Sequence, residues 1–246
     1  MIPAATLLAP AARERVEALA AEIDHARREH ARAGARAARV PLADRSLDHD
    51  GLARATRAVA DVLRRHGALS DAEAAALDAR PDLAGDVHAL LAWASGRRAD
   101  PPFAGAAVAW SVMRLALPAF VGTAEREEDD EAGPGSCPGC GMAPDLAVIS
   151  PSGVRRLICG ACDTEWRTDR IRCPFCGNAS QDALAYLVGG APGLLIRVCD
   201  RCHAYLKTID RRALHGDETP LRLRLVLAEM DAKAADAGYH PGSAAP

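Results

Sequence analysis

All eight cysteines of this 246-residue chain lie in its second half, in pairs with two residues between the members: Cys137 with Cys140, Cys159 with Cys162, Cys173 with Cys176, and Cys199 with Cys202. That pattern fixes four tight turns and requires the intervening segments to bring sulfur to sulfur. The pairs also alternate in type. "CPGCG" and "CPFCG" carry a proline after the first cysteine and a glycine after the second, whereas "CGAC" and "CDRC" carry neither. Aligning Cys162 with Cys202 lays "TEWRT" over "AYLKT", matching Trp166 with Leu206, Arg167 with Lys207 and Thr168 with Thr208. Between the pairs, "DLAVIS" and "VRRLI" flank Pro151, Ser152 and Gly153, while "ALAYLV" and "LLIRV" flank "GGAPG". Both read as β-hairpins with Gly/Pro turns. The unit knuckle, hairpin, knuckle, short strand therefore occurs twice.

An ion held tetrahedrally by four thiolates needs sulfurs about 2.3 Å away. A CxxC turn points two sulfurs at one centre, a proline presets the turn, and a following glycine can take positive φ so that amides face the sulfurs. The hairpin then returns the second pair to the open side of the ion. This zinc-ribbon or rubredoxin-like arrangement predicts two metal ions, zinc or iron, one per site. The first would be held by Cys137, Cys140, Cys159 and Cys162, and the second by Cys173, Cys176, Cys199 and Cys202. Interleaved pairing would break the symmetry of the repeats. Four thiolates suit zinc and iron alike.

Rival chemistries fit less well. The run Cys199-Asp-Arg-Cys202-His203 matches a haem-attachment pattern, but that use would orphan Cys173 and Cys176 and normally requires export. His203 is expected at the surface or beside the site. A thioredoxin-like dithiol belongs near a βαβ pattern, which does not surround these pairs, although some four-thiolate sites lose metal on oxidation. A divalent ion with four thiolates carries about −2. Arg155, Arg156, Arg167, Arg170 and Arg172 can offset that charge or form a binding face.

The fold class expected is α+β: an N-terminal α-helical domain, two tandem rubredoxin-like or zinc-ribbon modules, and a C-terminal helix. Residues 1–124 hold no cysteine and consist of good helix formers. "GLARATRAVADVLRRHG" puts Leu52, Val59, Val62 and Leu63 on one face, Ser70 or Asp71 can cap the next helix, and Pro81 interrupts it. The apolar stretch from Phe103 is interrupted by Arg114 and Pro118, which favours a central bundle helix over a membrane span. Residues 125–136, with six acids against one arginine, read as a solvated flexible linker. The ribbons then occupy 137–172 and 173–212, and 213–246 form the C-terminal helix and tail. Thr219 as N-cap, Pro220 at the first helical position and Gly238 beyond favour helix there over a strand, with Leu223, Val226, Leu227 and Met230 on its buried face.

A net charge of −3 argues against a dedicated nucleic-acid binder. No basic residue precedes Arg13, so no secretory leader is expected and the cytoplasm, where thiols stay reduced, is the expected compartment. A closed four-thiolate site offers no position to a substrate, and the eight histidines are scattered without triad or ligand spacing, so no enzyme is expected.

The segments "CPGCGMAPDLAV", "GVRRLICGACDTEWRTDRIRCPFCGN" and "RVCDRCHAYLKTID", following a helical first half, resemble the FdhE family. These are cytoplasmic accessory proteins required to activate respiratory formate dehydrogenases. The resemblance covers roughly Cys137 to Asp210 and implies rubredoxin-like sites that take iron or zinc, the eight cysteines as ligands, and the formate dehydrogenase catalytic subunit as partner. No nucleic acid or membrane partner is expected, a homodimer is left open, and a zinc-ribbon nucleic-acid binder using the arginines from Arg155 to Arg172, or a thiol or iron redox protein, is the alternative reading. In one respect the chain departs from the family. Where members carry an acidic "DDLATL"-like stretch, this chain reads "DETPLRLRLVLAEM", with Asp217 and Glu218 the nearest acids. Partner contacts through that segment are not carried over, and a different dehydrogenase is left open.

Overall fold

Apolar residues at helical spacing build the first half of the molecule. The computed structural model describes residues 2–3, 10–31, 41–121, 135–188, 191–215 and 218–242. Helix α1 spans Pro10–His30, α2 His49–Arg65, α3 Asp71–Asp78, α4 Leu83–Ala94, α5 Ala106–Ala116 and α6 Pro118–Val121. Leu52, Val59, Val62 and Leu63 are buried together on α2, which packs against α1, α3, α4 and α5. The centre of the bundle is thus shared by α2 and α5 and not held by the stretch from Phe103 alone, because α5 leaves Ala107 and Ser111 in solvent. Ser70 caps α3 in a reciprocal capping box with Glu73, and Pro81 lies in the break before α4.

The second half is a single sheet made from both repeats. In the first, β2 (Pro144–Ile149), β3 (Arg155–Cys159) and β4 (Glu165–Arg167) form an antiparallel meander. In the second, β5 (Leu184–Val188), β6 (Leu194–Cys199) and β7 (Ala204–Asp210) do the same. The predicted hairpins and short strands are therefore present. Their fusion was not foreseen: β2 pairs in parallel with β7, giving the order β4-β3-β2-β7-β6-β5. Each repeat contributes its third, second and first strand in turn, a translation that makes the junction parallel. It also buries β7 throughout, so Lys207 is buried although its repeat mate Arg167 lies exposed on an edge strand.

Two short strands lie outside the repeats, β1 (Ile2–Pro3) and β8 (Leu214–His215), which pair with each other in parallel. The C-terminal segment forms two helices instead of one, α7 (Pro220–Val226) and α8 (Glu229–Asp236), before β9 (His240–Pro241) pairs with β7. Thr219 and Pro220 start α7 as expected. The break at Leu227 and Ala228 lets Leu223, Leu227 and Met230 bury under the sheet, with Val226 half-buried, while Asp231 accepts from Tyr205 Oη at 2.7 Å and Lys207 Nζ at 2.9 Å. The acidic stretch read as a linker falls mostly within 122–134, outside the described residues.

Arg224 ties these parts together. It is buried on α7 and donates to both Asp145 oxygens (2.7 and 3.0 Å), to Asp163 Oδ1 (2.6 Å) and to the carbonyl of Cys159 (2.7 Å). Arg114 of α5 adds a contact to Asp145 at 3.1 Å. Burial alone would raise the Asp145 carboxyl, but the charge and hydrogen bonds of Arg224, with Arg114 behind them, hold it below its ordinary value. Such a group stabilises the fold above the unfolded value of about 3.9 and loses that contribution as pH falls through the lowered folded value. Replacing Arg224 with Met leaves two carboxylates without their main cation. Urea unfolding at pH 7 should register a loss of about 3–5 kcal/mol, and most of the difference from the parent should vanish in acid.

Candidate metal centres

The four knuckles close on two groups of sulfur. Cys137, Cys140, Cys159 and Cys162 form one and Cys173, Cys176, Cys199 and Cys202 the other, with all sulfurs of a group within 4.8 Å of one another. Across the first, Cys137 Sγ lies 3.7 Å from Cys162 Sγ and Cys140 Sγ 3.4 Å from Cys159 Sγ. Across the second, Cys173 to Cys202 is 3.8 Å and Cys176 to Cys199 is 3.7 Å. A tetrahedron with metal–sulfur bonds of about 2.3 Å has edges of about 3.8 Å. A disulfide would need about 2.05 Å. Each group could hold one metal ion, and the pairing is sequential.

The turns follow the repeat in detail. Gly141 and Gly177, after the second cysteine of the first and third knuckles, have φ of 77° and 69°. This lets their amides return to the carbonyls of Cys137 and Cys173 at 2.7 and 3.0 Å, while the amides of Cys137 and Cys173 reach Met142 and Asn178. At the other two knuckles the same left-handed position is filled by Asp163 (φ 59°) and His203 (φ 53°). These are residue types that tolerate it better than most. His203 is exposed and its ring lies 6.3 Å from that of Tyr239. Sequence reading did not mark Asp163, yet its position opposite His203 in the repeat alignment was the available signal.

The two cages differ in surroundings. All four cysteines of the first are buried, whereas Cys176 and Cys202 of the second are half-buried. In the first, the amide of Ala161 donates to Cys159 Sγ at 3.4 Å and Thr164 Oγ1 lies 3.1 Å from Cys162 Sγ. Burial pushes the Cys159 thiol well up, while hydrogen bonds from Cys137, Cys140 and Cys159 hold Cys162 far down. Sulfurs this close divide into thiols and thiolates unless a cation takes the place of the protons. In the second, Asn178 Nδ2 points at Cys199 Sγ from 3.9 Å.

The arginines singled out in the sequence separate into two kinds. Arg167, Arg170 and Arg172 are exposed and Arg156 is half-buried, but Arg155 is only 1% exposed. Arg155 Nη1 donates to the carbonyls of Asp169 and Arg172, and its Nε and Nη2 have no partner among the described residues. Burial, reinforced by neighbouring Arg197, lowers its guanidinium to about 10, which leaves it charged at neutral pH. Cys173 is among the groups that oppose that shift, so a four-thiolate cage would supply the negative charge this buried cation faces.

Helices followed by a sheet bearing two four-cysteine cages define a protein of the tandem rubredoxin-like class. No family model matches the chain. It is 31% identical over 119 residues to an FdhE homologue of Stutzerimonas stutzeri, covering 47% of this chain and 38% of that protein. It is 36% identical over 81 residues to one from Aquifex aeolicus, covering 31% and 29%. The matched segments thus span well under half the length of these relatives. The crystal structure of the FdhE protein from Pseudomonas aeruginosa matches with a TM-score of 0.54 and 25% identity, over 95% of this chain and 79% of that one. The chain is thus similar to FdhE proteins over part of its sequence and, in fold, over most of its length.

With metal bound, the half-buried second cage should release it first. A thiol-blocking reagent in the presence of a chromogenic chelator is expected to liberate two equivalents in two phases. Cys176→Ser should abolish the fast phase and Cys140→Ser the slow one.

Proposed function

We propose that this protein is a non-enzymatic accessory factor that binds the catalytic subunit of a formate dehydrogenase in the cytoplasm during its maturation. Its eight paired cysteines would hold two ions, zinc or iron, one per cage. The observation that carries the reading is the closed geometry of both cages within a fold like that of a solved FdhE protein. Four protein sulfurs on one ion leave no open coordination position, so the metals serve folding, recognition or electron exchange and not Lewis-acid chemistry. Among the described residues no helix is long and apolar enough to cross a membrane, which suits a factor acting before its client is exported. The division into a helical domain at 1–124, ribbons at 137–172 and 173–212, and a C-terminal segment belongs to the same reading. The helical part would be the scaffold and the ribbons the recognition platform.

Anaerobically purified chain should contain two equivalents of zinc or iron and co-elute with the catalytic subunit on gel filtration. Lack of a complex in both reduced and oxidised buffers would overturn the reading. Visible ferric-thiolate absorption that bleaches on reduction would point to electron exchange at the cages. A colourless protein with two zinc ions would assign the ions a structural role.

A further inference from the structure

Among the described residues the fused sheet has two free edges, and they are treated differently. Strand β4 ends one side with three residues, and Glu165 and Arg167 face outward around buried Trp166. Charged residues on a short edge strand discourage pairing with another chain. Strand β5 ends the other side with Leu-Ala-Tyr-Leu-Val, five residues without a charge, of which Ala185 and Tyr186 are exposed. Among the described residues the exposed large hydrophobics are Ile171, at 54%, and Tyr186, at 45%. They are far apart on the chain, yet both line one groove of about 470 Å³, together with Arg170, Gln181, Leu184 and Arg197.

The walls of this groove are basic, and no carboxylate is among its lining residues. Arg197 is 6% exposed, donates to the carbonyl of Arg170, and holds its guanidinium 5.9 Å from the centre of the Tyr186 ring. Arg170 is exposed, at the mouth. Arg197 also lies beside Cys173 and Cys199 in the small cavity behind, so the groove backs onto the second cage. An unguarded edge accepts backbone hydrogen bonds, the Ile171 and Tyr186 side chains accept an apolar residue, and the arginines accept acids.

We infer that this groove and the free edge of β5 dock an extended segment of another polypeptide that turns both acidic and apolar residues to the same face. A second copy of this chain is the poorer occupant, because pairing β5 with itself across a two-fold axis would bring Arg170 and Arg197 of one copy toward those of the other. The identity of the partner rests on the function proposed above, but the chemistry of the docked segment does not.

The test uses the full metal-loaded chain in two arms. In the first, binding of the formate dehydrogenase catalytic subunit is compared between the parent and the variants Tyr186→Asp, Ile171→Asp and Arg170→Glu, all at exposed positions. Each should weaken the complex at least tenfold while retaining two metal equivalents and the parental melting temperature. Undiminished binding by all three would overturn the groove and leave the accessory role standing. In the second arm, fluorescence anisotropy follows a labelled peptide repeating Asp-Asp-Val-Val, which carries both residue types on each face when extended, against its Lys-Lys-Val-Val counterpart. Saturable binding of the acidic peptide, at least tenfold tighter than the basic one and lost in Tyr186→Asp, supports the groove even if the dehydrogenase subunit fails to bind. Equal binding of both peptides, no binding of either, or a dimer that Tyr186→Asp dissolves would overturn it.

Discussion

Four sulfur atoms held within 4.8 Å of one another, with cross-knuckle pairs at 3.4 to 3.8 Å, are an unfavourable arrangement unless something positive sits among them. Thiolates repel at that range, and buried thiols find few good acceptors. The rest of the second half can be read as the means of keeping each cage closed: two turns with a left-handed residue after the second cysteine, and a hairpin whose length returns one turn to the other. Because that cost recurs in each repeat, the same backbone solution recurs too. It uses glycine at Gly141 and Gly177, and Asp163 and His203 at the equivalent points where no glycine is available.

The first cage is also the place where the halves of the molecule meet. The amide of Leu42, in the segment between α1 and α2, donates to the carbonyl of Cys140 at 2.8 Å, and Arg45 reaches the carbonyls of Val121 and Gly139. From the other side Arg224 reaches the carbonyl of Cys159. Buried apolar residues of the helices and the cysteines of the knuckles belong to one continuous cluster. Loss of the first cage should therefore propagate into helix packing; the second cage contributes Cys173 and Cys199 to the same cluster and is flanked in addition by the turn at residues 169–172, held by Arg155 and Arg197. The two sites share a ligand set but differ in mechanical and electrostatic setting.

What the sequence made legible was local. Knuckles, hairpins, the Ser70 cap and the Thr219-Pro220 helix start each depend on a few neighbouring residues, and all are present. The parallel pairing of β2 with β7 joins residues some sixty positions apart and is selected by packing over the whole sheet, so periodicity within either strand is silent on it. Arg224 was hidden for a related reason. Nothing in the alternation of "LRLRL" marks one arginine from the other, and only the convergence of Asp145 and Asp163 gives Arg224 a place inside. Arg155 likewise stood among five arginines of equal appearance until the turn at 169–172 closed over it.

The contrast between the cages bears on what the fold can do. A site sealed on all sides and braced by an ion-pair network resists exchange of metal, protons or electrons with solvent. A site with two half-buried ligands, buried arginines at its back and an uncharged edge strand alongside is the more accessible of the two to solvent. Tandem duplication followed by edge-to-edge fusion produces that inequality without new chemistry, because a translational repeat must leave the first strand of one copy buried against its neighbour and the first strand of the other free. In this chain the buried strand is β2, and the strand left free among the described residues is β5, which pairs with β6 and its Cys199 of the less buried cage. The inequality between a fully buried cage and a half-buried one accompanies the order in which the repeats are joined.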